Sequence, residues 1–360
     1  MRRSAITAAI VVAVGVGCSG APTPQPSAST TIPAPIQTTP APQILPEVVL
    51  TADLDEPAAR WRLAGTFPIG DGADQLGYKP SHETPTIEPT AFTVAADGSI
   101  WIIDAAKQRV VHYSRDGSFV ADFHALLGSS SRDLVFVGQH LLVDGLYYRG
   151  LVYEVDEQGN LVARHRVTED GSKTVYLTDF IPTPNGLYAE IGGYTNPVAT
   201  GPIGIYGLNL PGNGQIREGP GLPLRSGTWF WLTSSRDGSF EFHFLDGVAE
   251  RVQPVRINVV ASKEFGKRHL EGPVGAGNFV VDGNDVYMYV MMSVTTPHGG
   301  GDQIGGRFLL RVGQSPLLFE RLPESTLIDD TQRRHIALGT DGHLYLMQID
   351  TDAVRIYRRP

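Results

Sequence analysis

The chain has 360 residues and a formal net charge of −9, with 19% charged residues. That acidic balance excludes the basic stripe a nucleic-acid-binding surface needs. A single cysteine excludes an internal disulfide and a cysteine-cluster metal site. Forty-one glycines and 26 prolines describe a chain rich in turns, and 41% hydrophobic residues still supply a large core.

The chain begins Met1-Arg2-Arg3, followed by small apolar residues over 5–17. A mature helix needs around 20 such residues to span a bilayer, so the pattern is that of a secretory signal. Cys18 follows directly, between Gly17 and Ser19-Gly20. This resembles a bacterial lipoprotein signal. The resemblance implies that residues 1–17 are removed, and that Cys18 becomes the lipidated first residue of a membrane-anchored protein facing outside the cytoplasm. Residues 18–47 are rich in Pro, Ala, Thr and Ser and lack the apolar surface to offset chain entropy. Frequent proline favours extended backbone at about 3 Å per residue, so the stretch reads as a spacer reaching roughly 80 Å. Residues 48–360 are read as one folded domain.

Within that domain a unit recurs: a short apolar strand, a tight glycine turn and a second apolar strand. The turn glycines are read as Gly98, Gly138, Gly186, Gly238, Gly283 and Gly342, with gaps of 40, 48, 52, 45 and 59 residues. Asp-Gly and Asn-Gly favour such hairpins because both central residues accept positive φ. A third strand and usually a fourth follow, as in RVVHYS and FVADFH of the first unit. Four strands per unit predict an all-β chain, a six-bladed β-propeller of four-stranded blades, with seven blades as the alternative because the last gap is long. The final unit reaches Pro360 with three strands, so RWRLAGTFPI, residues 60–69, is expected to supply the fourth and close the ring.

Asp and Arg also recur five apart, at Asp104/Arg109, Asp144/Arg149, Asp246/Arg251 and Asp350/Arg355. Residues 89–120 and the later units resemble the NHL-repeat family, which implies the propeller fold and leaves the ligand open. The pairs are read as staples across the loop between second and third strands.

The third and fifth units lack the staple and carry long loops instead, residues 191–204 and 293–306. Loops on a rigid frame concentrate binding residues, which makes Tyr194, Asn196, His298, Asp302 and Gln303 the ligand-binding candidates. The opposite face, built of tight turns, is expected to offer little shape. Glu88, Asp133, Asp179 and Glu271 precede their turn glycines and are the candidates to converge on the channel and hold a Ca²⁺-like ion through oxygen ligands. Glu190 and His243 interrupt apolar strands, in the slots of Ile102 and Ile103, and Trp229-Phe230-Trp231 reads as packing between blades. Leu270-Glu271-Gly272-Pro273 and Pro184-Asn185-Gly186 resemble fragments of the gluconolactonase/regucalcin family, which implies a metal-dependent lactonase. HExxH, GxSxG and Walker A motifs do not occur.

The reading therefore holds two functions. The first is a non-catalytic binding module outside the cell, monomeric and without cofactor, for a protein, glycan or small molecule. The alternative is a metal-dependent hydrolase or lyase of the propeller lactonase type.

Overall fold

The computed structural model describes residues 40–360 except 55–56, 59, 81–85, 125–132, 147–149, 170–172, 175–176, 192–204, 209–215, 219–220, 235–238, 261–268, 271–273, 296–302 and 324–333. These described residues form strands and no helix.

Six antiparallel sheets of at least four strands follow one another along the chain. The first runs Pro89–Val94, Ile100–Asp104, Arg109–Tyr113 and Phe119–Phe123 from axis to periphery. The second runs Leu134–Val137, His140–Leu146, Leu151–Val155 and Leu161–Arg166. Leu177–Thr183, Gly186–Ile191, Ile205–Leu208 and Ile216–Glu218 make the third. The fourth is Leu222–Pro223, Trp229–Ser234, Ser239–Asp246 and Ala249–Val260. Val274–Asp282, Asp285–Thr295, Gln303–Gly313 and Leu318–Arg321 make the fifth. The sixth takes Ile336–Leu338, Leu344–Ile349 and Ala353–Arg359 from the end of the chain, and its outer strand, Arg62–Pro68, from the start. That strand lies antiparallel on Ala353–Arg359, with Phe67 opposite Val354, as residues 60–69 lead one to expect.

Hydrophobic burial arranges the sheets radially. Each packs its apolar faces on both neighbours, which is why strands such as Ile100–Asp104 are buried along their whole length. One cluster joins the first and second sheets through Trp101, Ile103, Leu141 and Val143. Another joins the sixth and first through Phe67, Phe92, Ile102 and Met347. The largest joins the third, fourth and fifth through Ile181, Phe230, Phe242, Phe279 and Met288. The inner strands also meet in a ring, the sixth against the first and the third against the fifth. The protein is a β-propeller. Burying one of these Phe or Leu side chains contributes roughly 1.5–3 kcal/mol.

The fourth unit differs from its sequence reading. Its inner hairpin turns at Ser226-Gly227, where Leu224 N–H donates to Thr228 O at 2.8 Å, matching Ala95 N–H to Ser99 O in the first sheet at 2.9 Å. Gly227 and Gly98 have φ near +86° and +85°, a conformation that costs an L side chain energy. Gly238 therefore falls in the segment between second and third strands. The cause is local: Arg236-Asp237-Gly238 is the stronger hairpin signal, and the inner strand has only two residues.

This phase shift changes two other assignments. Asp246 and Arg251 flank the turn between third and fourth strands and form no ion pair among the described residues; Arg251 lies over the Phe244 ring, 5.7 Å from its centroid. His243 sits on a third strand, in register with Trp231 and stacked on it at 4.9 Å, as His112 stacks on Trp101 at 3.9 Å. Trp229 meets Tyr188 of the third sheet edge-on, the inter-sheet packing expected of this aromatic run.

Two of the staples are formed. Arg109 Nε lies 3.0 Å from Asp104, with Asp104 fully buried and Arg109 nearly so. Asp104 also accepts from Gly77 N–H at 3.1 Å and Lys107 N–H at 3.2 Å, while Arg109 Nη1 reaches Ala73 O at 2.6 Å and Asp122 at 2.5 Å. The pair thus pins residues 72–77 over the first sheet. Arg355 pairs with Asp350 and, at 2.9 Å, with Asp352. Asp144 is buried, and Arg149 lies outside the described residues.

A fifth strand on the fourth sheet has no counterpart in the sequence reading. Val48–Asp53 runs parallel to Ala249–Val260, and Gln43–Ile44, inside the stretch read as a spacer, pairs with the same strand at Arg251 and Val252.

Candidate functional site

The inner strands open onto the axis at Glu88, Asp133, Asp179 and Arg334, each at or near the start of its strand, and at Asn278, where the register of Val274–Asp282 shifts in mid-strand. Glu88 and Asp133 are buried and Asp179 is half-buried. Among them Arg334 is the cation, and its side chain is 2% exposed.

Its guanidinium takes both oxygens of Asp133: Nε donates to Oδ1 at 2.5 Å and Nη2 donates to Oδ2. Nη2 also donates to Phe180 O, and the Arg334 backbone N–H reaches Thr90 O at 3.1 Å. Asp133 further accepts from Leu134 N–H at 2.8 Å and from Phe180 N–H. The side chain of one residue thereby ties the sixth sheet to the second and third, while its backbone N–H reaches the first. Burial works against its charge, but the Asp133 carboxylate outweighs that, with Asp179 adding to it, and holds the guanidinium above its ordinary pKa. Beside it, Asn278 Oδ1 accepts from Ile336 N–H at 2.6 Å, joining the fifth sheet to the sixth.

Of the four metal candidates, the structure brings Asp133 and Asp179 around Arg334 and places Glu88 at the neighbouring strand start. Glu271 lies outside the described residues. No group of three or more His, Cys, Asp or Glu able to hold a metal ion occurs among the described residues. Asp133 has both oxygens committed to Arg334 and so does not offer a free carboxylate to such an ion. Asn185, the other lactonase-like position, sits in a hairpin turn and donates to Leu224 O at 2.8 Å. Arg334 escaped the sequence reading because Arg333-Arg334-His335 reads as a polar connector; its place just before an inner strand, like that of Asp133, was the available signal.

Tyr194, Asn196, His298 and Asp302 lie outside the described residues, as do Cys18 and most of the two long loops. Gln303 starts the strand Gln303–Gly313, opposite Thr295, and its side chain is not described. Glu190 pairs in register with Asp179.

The turn face, expected to offer little shape, carries two cavities among the described residues. One of about 660 Å³ lies between the fourth and fifth sheets and is lined by Leu45, Leu224, Phe244, Arg251, Asn284 and Leu317, among others. One of about 480 Å³ lies between the sixth and first and carries Arg62, Arg115, Arg358, Asp97 and Asp341. A smaller one of about 160 Å³ lies on the axis, with Arg334 among its walls. Tight turns do not make a flat face here, because neighbouring sheets diverge toward the periphery and leave wedges between them.

Residues 59–359 match the family described as Domain of unknown function (DUF7485). The chain belongs to that family. No curated protein matches the sequence. Solved structures it is similar to include a member of the DUF4221 family from Bacteroides vulgatus, at 9% identity, 82% of this chain and 98% of that chain, with a TM-score of 0.44. A gluconolactonase from Xanthomonas campestris follows at 14% identity, 83% and 99% coverage and a TM-score of 0.43. A virginiamycin B lyase from Staphylococcus aureus stands at 10% identity, 77% and 82% coverage and a TM-score of 0.39. The propeller assignment rests on the sheets themselves.

Proposed function

We propose that this DUF7485 protein is a lipoprotein anchored through Cys18 to the bacterial cell membrane, facing outside the cytoplasm, whose six-bladed, NHL-like propeller is a binding module. One observation supports the binding reading over the lactonase one: Asp133, one of three carboxylates at the channel mouth, is neutralised by Arg334. A propeller enzyme of the metal-assisted type needs oxygen ligands free at the axis to polarise a carbonyl or activate water. Here Asp133 and Arg334 join sheets instead. The apolar segment before Cys18 and the proline-rich stretch after it support the anchor and spacer.

Metal analysis of the purified chain tests the binding reading. The expected result is no stoichiometric divalent ion after dialysis; one tightly retained ion per chain overturns it. Membrane fractionation of Cys18→Ser tests the anchor, which fails as a reading if the variant stays as membrane-bound as wild type.

A further inference from the structure

We propose that the cleft between the fourth and fifth sheets binds a small organic anion, a carboxylate or sulfonate carried on an apolar body. This deepens the binding-module reading and rests on it. The cleft's volume, about 660 Å³, falls in the range of small-molecule pockets. Its walls supply an apolar surface from Leu224, Phe244, Val312 and Leu317, with Leu45 and Val48 of the N-terminal segment completing it. Hydroxyls and carboxamides, among them Ser226 and Gln314, stand at the same wall.

Arg251 is the charged residue of the lining. No carboxylate of the described residues pairs with it; its guanidinium rests over the Phe244 ring. In a chain of net charge −9 a cation left uncompensated beside an apolar wall is a site waiting for an anion. Arg251 is exposed at the rim of the cleft, and Arg presents a planar fork that matches a carboxylate or sulfonate in two hydrogen bonds while the apolar wall takes the body that carries it. The cleft between the sixth and first sheets differs in carrying carboxylates in its wall: Asp97 and Asp341 stand among its arginines, with Arg358 3.9 Å from Asp341.

The N-terminal segment belongs to the site. Gln253 Nε2 donates to Pro46 O at 2.7 Å, and Leu45 N–H donates to Val252 O at 2.8 Å, which fixes Leu45 and Val48 over the cleft. A ligand there touches the stretch that leads toward Cys18.

The test uses 1-anilinonaphthalene-8-sulfonate, an aromatic monoanion, and N-phenyl-1-naphthylamine, its uncharged counterpart. Each is titrated by calorimetry and fluorescence into the full chain carrying Cys18→Ser, so that neither lipid nor detergent competes. Saturable binding of one anion per chain is expected. Arg251→Gln is expected to weaken the anion by at least about tenfold and leave the neutral probe unchanged. Arg251→Lys, which keeps the charge, is expected to restore part of the preference, and Ser315→Trp, which fills the cleft, to weaken both probes. Melting curves confirm that each variant is folded. The proposal is overturned if Arg251→Gln binds the anion like wild type, if Ser315→Trp leaves both probes unaffected, or if the anion shows no saturable binding. A retained metal ion would refute the binding-module reading without touching these titrations, and a null titration would leave the metal analysis standing.

Discussion

Arg334→Met removes the guanidinium at the channel mouth and keeps most of the side chain's length. Asp133, 1% exposed, then retains the Leu134 and Phe180 N–H donors but loses its counter-ion. Removing one partner of a buried pair costs about 3–5 kcal/mol, because the survivor keeps its charge without compensation. For a folded unit of this length the unfolding entropy is roughly 0.65 kcal/mol per kelvin, so the melting temperature should fall by roughly 5–8 °C. Asp133→Asn should cost a similar amount by stranding Arg334. The double variant should be more stable than either single one, because the desolvation of both charges disappears together. Thermal melts followed by circular dichroism, with urea unfolding of all four proteins, complete the cycle. A single variant melting within about 1 °C of wild type, or a double variant below both singles, would refute the account of the Arg334 guanidinium as the neutralising tie of the second, third and sixth sheets.

Asp104→Ala should destabilise the fold by about 1–3 kcal/mol, less than the Arg334 variant, because Arg109 keeps Asp122 at 2.5 Å; an unchanged urea midpoint would contradict this. A chain beginning at residue 57 should melt below one beginning at 48 by the contribution of the parallel strand Val48–Asp53, and one beginning at 72 should lose cooperativity, since the sixth sheet then lacks Arg62–Pro68. Equal melts for starts at 57 and 72 would rule out the closure. His112 is half-buried and its Nε2 has no hydrogen-bond partner; burial lowers its pKa from 6.5, with Asp97 and Glu157 opposing. The folded state therefore holds it neutral, and stability present above pH about 6.5 is lost as the pH falls and the unfolded chain takes up the proton. His112→Phe, which keeps a ring against Trp101, should flatten the drop in urea midpoint between pH 7.5 and 5; a drop as steep as wild type would assign the slope to other groups.

What the sequence makes legible follows from how local the causes are. Gly98, Gly138, Gly186, Gly283 and Gly342 all adopt positive φ, because a hairpin turn is decided by two or three adjacent residues. The same locality misplaces the fourth unit: Arg-Asp-Gly at 236–238 is a better turn signal than Arg-Ser-Gly at 225–227, and only pairing of Leu222–Pro223 with Trp229 and Phe230 sets the phase. At the axis, Glu88, Asp133 and Asp179 are visible as carboxylates before inner strands. The partner of Asp133, Arg334, is 201 positions away, and no spacing rule connects residues so far apart.

The short inner strand of the fourth sheet also accounts for where the larger cleft lies. With two residues at the axis, that sheet contributes less there than its neighbours, and the inner strands of the third and fifth meet across it. Its substance is at the periphery instead, where Ala249–Val260 is the longest strand among the described residues and carries Val48–Asp53 and Gln43–Ile44 beside it. A sheet weighted outward leaves a wider wedge against the fifth sheet, and the N-terminal segment lies over that wedge. At the axis Arg334 and Asp133 join sheets, while Arg251, in no ion pair among the described residues, and the apolar wall stand where the ring is least regular. The proposed binding site thus lies at a seam and not at the centre, beside the one unit that departs from the repeat.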